Sequence, residues 1–222
     1  MNKSARGIIF DCDGTLVDSL GAALESFNFA IVKMGEPPKT PQEIKKYFGA
    51  SADRILIQLL NDQQRGLEAF EIFKDHQTEL ASQTKLHPGI SDLLDTLLAH
   101  EVPIAIVTGR HEQDLEIVLK PHKISQRFIT LVADNHVPES KPAPDGIRLA
   151  ASRMGLEPHN IMYVGDSPMD LQAAHASGAA AVAAMWDSLV KREAMLQEKP
   201  TFVAETPANV WQIYNEWAKL II

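Results

Sequence analysis

The stretch Gly7-Ile8-Ile9-Phe10-Asp11-Cys12-Asp13-Gly14-Thr15-Leu16-Val17-Asp18-Ser19 decides the fold. Ile8, Ile9 and Phe10 form a short apolar run of the kind found in parallel sheets covered on both faces, and Gly14 supplies a turn directly after it. Asp11 and Asp13 therefore fall just past the carboxyl end of a strand, the edge at which open α/β sheets bind their ligands. Two acids placed there can serve as nucleophile, metal ligand or proton carrier. Acidic residues and glycine also make ordinary turns, so the rest of the chain has to decide between the two readings. Cys12 lies between the acids, and alternation along an extended segment turns it away from them, as a small buried hydrophobe.

Working outward, apolar runs recur at Val102 to Val107, Phe128 to Val132, Ile161 to Val164, Ala179 to Ala184 and Thr201 to Ala204. With Gly7 to Phe10 these predict six parallel strands. Helical spacing falls between them at Ile90 to Ala99, His111 to Leu119, Asp145 to Met154, Met169 to Ala176 and Ser188 to Gln197, so strand and helix alternate as in a doubly wound α/β sheet. The interval from Leu20 to Leu86 has helical patterns and no strand. Leu24, Phe27, Asn28 and Ile31 mark one helix, which Pro37-Pro38 is expected to stop. A second runs from Pro41 to near Gly49, Ile55, Leu56, Leu59 and Leu60 define a third, and Leu67 to Leu80 a fourth. The expected organisation is an α/β core of residues 1–16 and 86–222, with residues 17–85 inserted as a small all-helical domain beside the catalytic edge.

The 222 residues carry a net charge of −8, which argues against nucleic-acid or anionic-membrane partners that need concentrated basic surface. One cysteine excludes an intrachain disulfide framework, no run is long and apolar enough for a membrane span, and residues 1–6 lead into the first strand without a signal-peptide pattern. A soluble cytoplasmic protein, monomer or homodimer, is the expectation. The eight histidines form no His-Glu-x-x-His pattern, so a zinc-hydrolase site has no support. Trp186, Trp211 and Trp217 read as core or dimer contacts rather than a ligand cage.

Polar chemistry follows two further strands: Thr108-Gly109-Arg110 after Ala105-Ile106-Val107, and Gly165-Asp166-Ser167-Pro168-Met169-Asp170 after Met162-Tyr163-Val164. Between them, in Ser140-Lys141-Pro142-Ala143-Pro144-Asp145-Gly146, one lysine precedes a proline-punctuated helix start. The ordered set Asp-x-Asp-Gly-Thr, Thr-Gly, Lys-Pro and Gly-Asp-x-x-x-Asp resembles the haloacid dehalogenase-like hydrolase superfamily, over nearly the whole chain and in wording nearest its phosphoglycolate phosphatase-like members. The resemblance implies a Rossmann-like core, a helical cap closing over the substrate, and Val17 to Ser19 and Lys85 to Gly89 as the connections between them.

Phosphoryl transfer needs a held nucleophile, cationic charge and an acid for the leaving oxygen. Asp11, first after the strand, is the expected nucleophile, and Asp13 the general acid and base. Haloacid dehalogenases lack this second aspartate, so its presence favours a phosphatase. Acids crowded at one edge repel unless a hard cation sits among them, which points to Mg²⁺. The family pattern implies a metal held by Asp11, Asp166 and the Asp13 carbonyl, with Asp170 binding directly or through water. Asp170 also reads as part of a helix cap with Ser167. Thr108 and Gly109 can meet a phosphate oxygen, and Lys141 can hold Asp11 and the moving phosphoryl group. Arg110 reads either as a helix-start residue or as an anion contact, and Arg54 as a substrate contact or a surface ion-pair partner. Together these predict a Mg²⁺-dependent phosphatase for a small phosphorylated metabolite, phosphoglycolate-like or a sugar phosphate. Alternatives are a β-phosphoglucomutase-like enzyme, disfavoured because Ala22-Ala23-Leu24 replaces that branch's cap histidine, a phosphonate-cleaving relative using Lys45 or Lys46, and a slowly turning over phosphoacceptor signalling protein.

Overall fold

A computed structural model describes residues 6–48 and 50–219; Gly49 and the terminal residues 1–5 and 220–222 lie outside it. The six predicted strands are present as β1 (Gly7–Phe10), β4 (Ile104–Val107), β5 (Thr130–Val132), β6 (Ile161–Gly165), β7 (Ala180–Ala184) and β8 (Phe202–Ala204). They form one sheet of order β5-β4-β1-β6-β7-β8, and every pairing in it is parallel. The order runs outward in both directions from β1. A crevice therefore opens at its carboxyl end, where chain direction diverges between β4 and β6.

Alternation along β1 splits the core into two layers. Ile8 and Phe10 join α5 (Ile90–Ala99), α6 (Glu112–Leu119) and α10 (Pro207–Trp217) on one face, while Ile9 meets α7 (Asp145–Arg153), α8 (Pro168–Ser177) and α9 (Arg192–Gln197) on the other. Both faces of β1, β4 and β6 are buried, which is why their sequences read as unbroken apolar runs.

Between β2 (Val17–Asp18) and β3 (Lys85–Leu86) the chain is helical: α1 (Leu20–Lys33), α2 (Pro41–Lys45), α3 (Ala52–Leu60) and α4 (Gln63–Leu80). β2 and β3 pair antiparallel, so the two connections run side by side. The helices have their own core, built on Phe27, Ile31, Ile44, Leu56, Phe70 and Phe73.

Several boundaries differ from the sequence reading. Helix α1 ends at Lys33, where Gly35 takes φ +81°, before Pro37-Pro38 is reached. Helix α2 stops at Lys45. Helix α4 starts at Gln63, not Leu67, because left-handed Asn61 closes α3 and the Asp62 side chain caps the next helix through Arg65 N. Helix α9 begins at Arg192 because Asp187 and Leu189 form a side-chain turn where the helix from Ser188 was expected. Helix α10 was not anticipated. Within the chain the three tryptophans are core residues: Trp217 is buried, Trp211 and Trp186 pack against the same layer, and Trp186 Nε1 donates to the Thr15 carbonyl at 2.9 Å. Cys12 is fully buried, as alternation predicts. Among the described residues, no helix is long and apolar enough to cross a membrane.

Candidate active site

Asp11 leaves β1 with its amide donating to the Val164 carbonyl at 2.9 Å, which fixes the acid at the crevice. The chain then turns tightly through Gly14 at φ +72°. A Cβ on Gly14 would stand 2.3 Å from Asp166 Oδ2, so only glycine lets the two loops approach this closely. A cavity above the sheet edge is lined by Asp11, Asp13, Thr108, Gly109, Arg110, Lys141 and Asp166, which therefore come together. Asp170 sits directly behind and is fully buried. Arg54 does not line the cavity; its guanidinium donates to the Ser140 hydroxyl.

Lys141 Nζ donates to Asp11 Oδ1 at 3.0 Å and to Asp170 Oδ1 at 2.6 Å, with its side chain almost wholly buried. Burial works against the ammonium, but Asp11 and Asp170 outweigh it and hold Lys141 charged. Asp11 itself is pushed up to about 7 by burial, against the pull of Lys141 and with the added repulsion of Asp170 and Asp13. Asp166 is pushed well up by burial and then by Asp11 and Asp170, and its carboxylate accepts from the Thr15 hydroxyl at 3.0 Å. Carboxylate oxygens of Asp11, Asp166 and Asp170 lie within 4.8 Å of one another. Buried negative charge exceeding the single lysine fits a hard, oxygen-seeking divalent cation.

Asp170 is already well bonded. Its Oδ2 accepts from Ser167 N and Oγ in a capping box, and its Oδ1 also lies 3.0 Å from the Tyr163 hydroxyl. Gly165 makes room for it, since a Cβ there would sit 2.4 Å from the Asp170 side chain. Helix cap and lysine anchor are thus the same residue. Asp13 faces the other way. Arg110 grips it with Nε and Nη2, each at 2.7 Å, and the Ser19 hydroxyl adds a short bond. Burial pushes Asp13 up, but Arg110 and then Ser19 prevail and hold its carboxyl below the ordinary range. Arg110 is accordingly a carboxylate clamp in this structure. The Thr108 hydroxyl accepts from Arg110 N at 3.2 Å, which leaves its proton free to donate into the cavity.

A family model described as haloacid dehalogenase-like hydrolase matches residues 8–184. The chain belongs to that family. This hydrolase is 32% identical over 195 residues to a phosphoglycolate phosphatase of Mannheimia succiniciproducens, covering 82% of this chain and 86% of the relative. It is 29% identical to the phosphoglycolate phosphatase of Escherichia coli, covering 82% of each. The structure of a predicted phosphoglycolate phosphatase from Haemophilus somnus superposes with a TM-score of 0.82 at 25% identity, covering 96% of this hydrolase and 99% of that chain.

Sequence reasoning missed Tyr163, Ser19 and Gln77. Tyr163 lies inside β6, where it reads as one more strand residue, yet its hydroxyl is within 3.3 Å of Lys141 Nζ and 3.0 Å of the Val107 carbonyl. Ser19 closes the first motif and was legible only as its last letter. Gln77, on α4, reaches Arg110 Nη2 at 3.5 Å while its own amide is held by Ala22 O and Ser26 Oγ. Nothing local in the sequence marks it.

Proposed function

We propose that this hydrolase is a Mg²⁺-dependent phosphomonoesterase that acts on a small phosphorylated metabolite through an aspartyl-phosphate on Asp11. The observation that carries the reading is the convergence of Asp11, Lys141, Thr108 and Asp166 on one cavity at the divergence point of a parallel sheet. Asp11 and Asp166, with the Asp13 main-chain carbonyl, would hold the cation, and Asp170 supports the site through Lys141. Bound there, Mg²⁺ supplies positive charge to the phosphoryl oxygens.

An Asp11 oxygen attacks phosphorus, the bond to the leaving oxygen breaks, and a proton from Asp13 goes to that oxygen. Water then attacks the aspartyl-phosphate, Asp13 takes its proton, and inorganic phosphate leaves with the Asp11 carboxylate restored. Lys141 and the Thr108 hydroxyl stabilise the charge that grows on the phosphoryl oxygens. The Arg110 clamp favours the ionised Asp13 that the second step requires. In the first step Asp13 must carry a proton, so Arg110 has to release at least one of its two bonds as the ester enters. Residues 17–85 act as the cap, and by covering the cavity they keep water from competing with transfer.

Lys45 and Lys46 do not line the cavity, and no lysine of the helical unit does so among the described residues, which supports ester hydrolysis over Schiff-base phosphonate cleavage. The relatives' names make phosphoglycolate the first ester to try. Acid quenching during turnover tests the chemistry: one phosphoryl group on the Asp11-containing peptide, absent from Asp11→Asn, is the expected result. Turnover that never labels Asp11 would exclude the covalent route.

A further inference from the structure

The two ends of the cavity are chemically opposite. The sheet edge supplies all its charged groups, whereas the helical unit supplies hydrocarbon: Leu20 and Phe27 from α1, Phe48 before α3, Ala52 and Ile55 from α3, and Phe73 from α4. Among the described residues, no charged or hydrogen-bonding side chain of the helical unit lines it. Of the polar groups near that wall, the Ser51 hydroxyl is buried without a hydrogen-bond partner but does not line the cavity, and others are engaged elsewhere. One edge of the Arg110 guanidinium, Nε and Nη2, is on Asp13, the Arg54 guanidinium is on Ser140, and the Gln77 amide is on Ala22 O and Ser26 Oγ.

Resting on the phosphatase reading above, we propose that the leaving group is a compact, uncharged and mainly apolar alcohol, so that the substrate is an alkyl or aryl phosphate rather than a carboxylate-bearing or polyhydroxylated one. A carboxylate seated against Phe27, Ile55 and Phe73 would give up its water against a wall that offers it no cation, and sugar hydroxyls there would lose several hydrogen bonds at once. An alkyl chain instead gains with every methylene it buries there. A hydrophobic wall rejects a polar analogue by about a hundredfold, less than a site with hydrogen-bonding groups of its own can achieve.

The test is kcat/KM of the full chain with Mg²⁺ on methyl, propyl, pentyl and phenyl phosphate against 2-phosphoglycolate and glycerol 3-phosphate, with p-nitrophenyl phosphate as a general reporter. The expected result is a rise of about fourfold per added methylene until the cavity is filled, with propyl phosphate about a hundredfold ahead of phosphoglycolate. Phosphoglycolate or glycerol 3-phosphate matching or exceeding propyl phosphate overturns the proposal while leaving the phosphatase reading intact. Silence on every ester, the reporter included, overturns both. In Ala52→Lys, a cation placed on the apolar wall at a half-buried position should shift the propyl-to-glycolate ratio at least tenfold towards phosphoglycolate. An unchanged ratio in a folded, active variant shows that this wall does not select the leaving group.

Discussion

Lys141 is the residue on which the buried charges of this site depend. It is bonded to Asp11 and Asp170, and both acids are buried, so its loss leaves two carboxylates without their cation. Breaking a buried ion pair from one side costs about 3–5 kcal/mol, and Lys141→Met should lose stability on that order in urea denaturation as well as losing turnover. Tyr163→Phe removes one hydroxyl from the same cluster and should cost about 1 kcal/mol, with Lys141 still anchored. At this scale the sequence was legible wherever a polar residue directly follows an apolar strand, as at Asp11, Thr108 and Asp166. It was illegible where a site group is hidden in a strand, as Tyr163 is. Arg110 kept two readings because the sequence cannot say which carboxylate its fork will meet.

Elements were legible in proportion to their length and to the purity of their pattern. The buried strands read as unbroken apolar runs and helix α5 has one clear period, and both were read nearly to their ends. Strands β2 and β3 are two residues each, too short for alternation to register, although their pairing sets the helical unit in place. Helix α10 carried a readable start in Thr206-Pro207, but its tryptophans read only as core or dimer contacts, with no helix assigned to them. That start is held from within the first turn: the Asn209 side chain accepts from Thr206 N and from its hydroxyl, each at 3.0 Å. Asn209→Ala should therefore cost about 1 kcal/mol in thermal or urea unfolding and leave kcat unchanged, since no residue of α10 lines the cavity. Ser167→Ala removes the matching cap of α8 at similar cost. Because Ser167 also holds Asp170, that variant should lower turnover too.

Across the whole molecule, core and helical unit meet through a few contacts at the mouth. Asp53 approaches His111 at 3.5 Å, Phe70 meets the His111 ring edge-on, and Gln77 reaches Arg110. These contacts join residues far apart in sequence, which is why the doubly wound core and the helical insert could be read while the particular residues that join them could not. Below the mouth, buried His87 faces Asp187 at 3.4 Å, tying the chain after β3 to the loop after β7. Burial pushes Asp187 up, but bonds from His87 and Leu189 N outweigh it and hold its pKa below the ordinary 3.8. A depressed carboxylate stabilises the fold above its unfolded pKa and ceases to do so as pH falls through the folded one. The stability gap between wild type and Asp187→Asn, measured by urea unfolding, should be full at neutral pH and should shrink once pH drops below 3.8.

The most direct test of the account is phosphate release from p-nitrophenyl phosphate by wild type and Asp11→Asn, each with Mg²⁺ or with EDTA, on protein whose folding is verified by circular dichroism. Release is expected only from wild type with Mg²⁺. Asp11→Asn turning over at the wild-type rate, or wild type undiminished by EDTA, would contradict it.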